Sequence, residues 1–111
     1  MSDTTASNNP GKMHFMLRST TPITAFSQNM SDMTEEERNI MHQHIAYWTD
    51  LLNQGIALVF GPVLNPKSPH GVAIIEVENA EQVSQLIAED PAIIAGLMTA
   101  EFYPMKAVLP K

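Results

Sequence analysis

Residues 57–62 read Ala-Leu-Val-Phe-Gly-Pro, and residues 72–77 read Val-Ala-Ile-Ile-Glu-Val. Each is a short apolar run rich in β-branched and aromatic side chains with little polar alternation, the pattern of a strand whose two faces are both to be withdrawn from water. Pro66, Pro69 and Gly71 lie between them, so the runs are joined by a hairpin-like connection. These two strands form the centre from which the rest of the chain is placed.

Upstream, Ile40, Met41, Ile45, Trp48, Leu51 and Leu52 recur at three- and four-residue spacing, which predicts one apolar face of a helix. Thr34 and Glu37 stand in the spacing of a capping box, with Glu35 and Glu36 suited to the positive end of the helix dipole, and Gly55 sits where the helix stops. Downstream, Asn79 and Gln82 repeat the capping spacing ahead of Val83, Leu86 and Ile87, predicting a second helix to about Glu89. Pro91 ends it, because the residue before a proline is pushed out of the helical region. Pro91 also suits the first position of a further short turn, capped by Asp90 and stopped by Gly96.

The ends of the chain supply the outer strands. Met13 to Leu17 is an apolar run closed by Arg18, and Ser19, Thr20, Thr21 and Pro22 read as breakers. A last strand is expected within Glu101 to Leu109, where Pro104 restricts it to an edge or a bulge. The order is βαββαβ, the split βαβ or ferredoxin-like α+β arrangement, in which both helices cover one face of a single sheet. The opposite face then needs its own cover, and a second copy of the chain, giving a homodimer, is the simplest one.

The 111 residues allow one hydrophobic core and not two. A formal charge of −6 with only six Lys and Arg gives no basic patch for nucleic acid or for an acidic membrane. The absence of cysteine removes disulfides, thiolate nucleophiles and Cys-ligated zinc. Residues 1–12, rich in Ser, Thr, Asn and Asp, are expected to form a disordered tail ahead of a domain spanning 13–111. They lack the apolar stretch of a secretory signal, and nothing approaches the ~20 apolar residues of a membrane span, so the expected location is the cytoplasm.

His44 falls between Met41 and Trp48 on the helix face that meets the sheet, where leucine would pack at lower cost. A polar group there needs a partner, either as a buried histidine satisfied by one hydrogen bond or as a catalytic group. Arg18 suits an anionic or phenolate group of a ligand, or an ordinary surface position. Tyr47 is placed to donate a proton near His44 or to line the edge of the core. His42 and His44, two apart on a helix, point to nearly opposite sides, and His14 and His70 have no partner ligands nearby in sequence, so neither metal nor cofactor is expected.

His44 with Gly55 eleven residues on, Gly61-Pro62, and Asp90-Pro91 with Gly96 beyond together resemble the framework of the YCII-related family, from about Met13 onward. The resemblance implies a dimeric α+β barrel with a His and Asp pair in a cavity, which His44 and Asp90 match by position. It further implies acid and base chemistry on a small cyclic metabolite, by a lyase or isomerase; a ligand-binding or dimeric accessory module without turnover is the alternative. Many relatives carry Phe directly after the Asp-Pro pair, where this chain has Ala92. The two residues are expected to meet, because the first helix turns His44 toward the sheet and the break at Asp90 ends the second helix on the same sheet face. Asp90 would then orient the imidazole; the other reading of Asp90 is a plain cap of the short turn before proline.

Overall fold

The computed structural model describes residues 11–21 and 33–110, so most of the expected tail lies outside the described residues, as do residues 22–32 between the first strand and the first helix. Seven elements follow one another: β1 (Met13–Thr20), α1 (Glu35–Asn53), β2 (Ala57–Val63), β3 (His70–Val77), α2 (Ala80–Ala88), α3 (Pro91–Ile94) and β4 (Thr99–Met105). The four strands form one antiparallel sheet in the order β2-β3-β1-β4. This is the ferredoxin-like α+β arrangement.

The helix ends lie where local chemistry puts them. Thr34 accepts from the Glu37 backbone N–H at 3.1 Å and Glu37 returns a carboxylate to the Thr34 N–H at 2.9 Å, completing the capping box. At the other end Gly55, with φ 80°, allows its own N–H to reach the Leu52 carbonyl and that of Ile56 to reach Leu51. This paired closure needs the left-handed conformation that glycine adopts without strain. Gly96, with φ 74°, closes α3 in the same way on Ile93 and Ala92. The second predicted box is only half formed: Asn79 caps Gln82, but the Gln82 side chain turns to the N–H of Glu78.

The strands run further than apolar runs suggest. Ser19 and Thr20, read as breakers, continue β1, because the ladders carry through them: Ser19 stands opposite Gly71 on one side and Ala100 on the other, and Thr20 opposite Thr99. Likewise β2 continues through Gly61 and Pro62, and β3 begins at His70. β4 starts at Thr99, earlier than expected, and ends at Met105; it lies at the sheet edge, where a proline without an N–H is tolerated.

Phe15 and Leu17 of β1, Ala73, Ile75 and Val77 of β3 and Ala57 of β2 face the helices and pack with Trp48, Leu51 and Val83 in the main core. A register shift between Ala57 and Val59 keeps Ala57 in that core and turns Val59 to the opposite face. There Val59, Ile74, Met16 and Tyr103 form a row across all four strands, with Val59 57% and Tyr103 52% exposed. The buried stripe of α1 is narrower than its apolar periodicity: Met41, Trp48 and Leu51 are buried, whereas Ile45 and Leu52 are exposed. No described helix is long and apolar enough to cross a membrane.

Candidate functional site

Met41, His44 and Trp48 follow one another at three- and four-residue spacing, so α1 presents all three on one side. Asp90 arrives from the break between α2 and α3. The structure brings His44 and Asp90 together across 46 positions of sequence: the His44 Nδ1 lies 2.9 and 2.8 Å from the two oxygens of the Asp90 carboxylate. With that geometry Nδ1 carries a proton and donates it to the carboxylate, and when the ring is neutral Nε2 is the acceptor. Nε2 has no partner among the described residues.

Asp90 is 3% exposed, and its cost of burial is met by three donors. Besides His44, the Trp48 Nε1–H donates to Oδ2 at 2.8 Å and the Ala92 backbone N–H to Oδ1 at 2.9 Å. Burial, the largest single influence on this carboxyl, raises its pKa; the bonds from His44 and Trp48, the His44 charge and the Ala92 N–H outweigh it and hold the group below the usual carboxylate range. Helix cap and histidine partner, two separate readings of Asp90, are thus two uses of one carboxylate. Ala92 is fully buried with Met33, Met41, Leu97 and Met98, and its N–H belongs to the site.

His44, Trp48 and Asp90 line a cavity of about 250 Å³ between the helices and one end of the sheet. Its walls are mostly apolar, with Met41 and Ile45 from α1, Leu17 and Phe60 from the sheet, and Ile87 and Ile93 from α2 and α3. Ile45 is therefore exposed because it borders a cavity. The volume lies just under the ~300–1,000 Å³ common for ligand pockets and suits a single-ring compound.

The other two sequence candidates lie elsewhere. Arg18 is on the opposite sheet face, outside the cavity, held by Glu101 at 3.5 Å and Ser68 at 3.3 Å. Alternation decides this: Leu17 and Ser19 face the helices, so Arg18 between them cannot. The Tyr47 hydroxyl donates to the Leu86 carbonyl at 2.6 Å, tying α1 to α2, and does not line the cavity. Burial, then the charges of Glu89 and Asp90, push its pKa up to about 12. Trp48 is the functional neighbour that sequence reasoning took only as core; its single indole N–H was the available signal, since a buried indole usually finds an acceptor. Among the described residues, no three His, Asp or Glu side chains converge on a metal-binding position.

The sequence of residues 19–106 matches the model of the YCII-related domain. The chain belongs to the YCII-related domain family. Among solved structures, the YCII-related chain is similar to 5-chloro-2-hydroxyhydroquinone dehydrochlorinase from Burkholderia phenoliruptrix AC1100, in complex with 2,5-dihydroxybenzoquinone. That match has a TM-score of 0.62 and 20% identity over 85% of this chain and 94% of the other. It is also similar to a mutant of SnoaB, a cofactor-independent oxygenase from Streptomyces nogalater, with a TM-score of 0.47 and 15% identity over 91% of this chain and 99% of the other. At 20% identity the likeness to the dehydrochlorinase is one of fold. No curated protein sequence matches the chain.

Proposed function

We propose that this YCII-related protein binds a small cyclic metabolite in the cavity beside His44 and transfers a proton on it, as a lyase or isomerase, working as a cytoplasmic homodimer. The observation that carries the reading is the His44 imidazole held at Nδ1 by a buried, triply bonded Asp90 while Nε2 has no protein partner among the described residues. In this arrangement Nε2 takes a proton from a ring carbon or hydroxyl, and the Asp90 carboxylate stabilises the imidazolium that forms. The electron pair left on the ring then either accepts a proton at a second position, which is isomerisation, or expels a substituent that departs with its bonding pair, which is elimination. In both cases the bound proton leaves Nε2 for substrate or solvent and the site returns to its starting state. The apolar walls strengthen each electrostatic contact at the reacting atoms.

The homodimer is supported by the partly exposed row Val59, Ile74, Met16 and Tyr103, which a second sheet would cover.

The test is proton exchange in deuterated buffer, followed by NMR, on phenols, quinols and cyclic lactones, including 2,5-dihydroxybenzoquinone, the molecule bound by the dehydrochlorinase of similar fold. Wild-type protein is expected to accelerate exchange at a ring carbon of at least one compound, and His44→Ala to abolish the acceleration. Binding without exchange identifies the non-catalytic ligand-binding module as the correct reading. Neither binding nor exchange across the set removes the proposal.

A further inference from the structure

Ser19 lies on the helix-facing side of β1, two residues beyond the buried Leu17, and lines the same cavity as His44. Its neighbours across the sheet are Gly71 on one side and Ala100 on the other, with Pro62 beyond Gly71. One row deeper the sheet carries Phe60, Ala73, Leu17 and Phe102, which pack with the main core, the first three also flooring the cavity. The change from that bulky row to Pro62, Gly71, Ser19 and Ala100 opens the cavity at this level. Gly71 leaves room for the serine: a Cβ there would stand 2.5 Å from the Ser19 Oγ and oblige the hydroxyl to turn aside.

The cavity's other hydroxyls are engaged within the protein. Thr20 Oγ1 shares a hydrogen bond with Thr99 Oγ1 at 3.3 Å, and Thr21 Oγ1 donates to the Leu97 carbonyl at 2.5 Å. The Trp48 N–H is given to Asp90. The Ser19 hydroxyl has no partner among the described residues, as His44 Nε2 has none. A hydroxyl set in a mostly apolar wall, with small residues clearing the space around it, is an orienting group of the kind that fixes one ligand atom.

We infer that Ser19 is a second ligand-contacting residue, whose hydroxyl binds one ring oxygen of a small cyclic compound while His44 Nε2 meets another. The inference rests on the proposed use of the cavity and makes it more specific: the ligand carries at least two oxygen substituents on one ring. A hydroxyl that both donates and accepts suits a phenolic or keto oxygen equally.

Calorimetric titration with phenol, catechol and 2,5-dihydroxybenzoquinone tests this on wild-type protein, Ser19→Ala, Ser19→Thr and His44→Ala, with thermal unfolding confirming that each variant is folded. Ser19→Ala is expected to weaken the two-oxygen ligands about three- to tenfold and to leave phenol unchanged, while Ser19→Thr, which keeps the hydroxyl, preserves affinity. Undiminished binding of catechol and the quinone by Ser19→Ala, with His44→Ala still deficient, overturns the Ser19 contact and leaves the use of the cavity standing. An equal loss for all three ligands also overturns it, since that pattern belongs to a change in cavity shape. If wild-type protein binds none of them, or His44→Ala binds as wild type does, the reading of the cavity fails and Ser19 with it.

Discussion

Trp48 and His44 donate to the same oxygen of Asp90: the indole Nε1 and the imidazole Nδ1 each lie 2.8 Å from Oδ2. The two donors are one helical turn apart on α1, so a single carboxylate from another element anchors the face of the helix that borders the cavity. Loss of either donor therefore acts on stability and on the site together.

Trp48→Phe keeps an aromatic ring in the core but removes the N–H together with part of the buried indole. A hydrogen bond to a charged group contributes ~1.5–3 kcal/mol, and a stability loss of that order is expected in chemical denaturation. The Asp90 carboxyl should at the same time rise toward its ordinary range, detectable by ¹³C NMR titration of the carboxyl carbon. A loss of stability with an unmoved carboxyl would assign the effect to packing alone.

Asp90→Asn separates the charge from the shape. Because the folded-state pKa of Asp90 lies below its ordinary value of 3.8, its ionised form contributes stability above that pH, and the contribution is lost as pH falls through the lower folded value. Wild-type stability should therefore decline in acid by a component that Asp90→Asn lacks. Asparagine remains a good helix cap, but its amide group replaces one acceptor, so the variant is expected to be ~1–3 kcal/mol less stable near neutrality. Denaturation curves across this pH range measure both effects.

Tyr47 is one of two tyrosines, and its phenol is pushed up to about 12. The raised folded-state value means that stability is intact below the ordinary value of 10.0 and declines as pH rises from there through about 12. Ultraviolet titration should show a late phenolate transition that disappears in Tyr47→Phe. Tyr103, exposed and bonded to Glu101, is also raised and should persist in the variant.

Ile74 lies at the centre of the apolar row on the sheet face away from the described helices. Sedimentation at micromolar concentration is expected to show a dimer for the wild type and a folded monomer for Ile74→Lys, since an ammonium placed between two apposed sheets loses its hydration without a partner. A monomeric wild type would leave this face to another cover.

His14 and Glu76 illustrate what the linear chain conceals. They stand directly opposite each other on β1 and β3, largely buried, with Nε2 and Oε2 2.9 Å apart. Nothing near either residue in sequence suggests the pairing. The ends of the helices, by contrast, were legible to within a residue or two, because a capping box or a glycine closure joins groups three to five positions apart and its chemistry is complete within one turn. The succession of strands and helices was legible for a similar reason: short apolar runs and three-to-four-residue periodicity are properties of short segments.

Where strands end and which side chains meet depended on pairing between distant segments. Ser19 and Thr20 have the composition of a turn, yet extend β1 because β3 and β4 supply the ladders beside them. Arg18 is turned from the cavity by the same pleat that turns Ser19 toward it. His44 was conspicuous as a polar residue on an apolar face, and Asp90 as a cap before proline; that one carboxylate serves the cap, the imidazole and the Trp48 indole at once was decided only when α1 packed against the start of α3. A sequence determines local geometry through interactions that close within a turn or a strand, whereas a site assembled from residues 46 positions apart exists only once burial has brought the elements together and left each polar group to find its partner there.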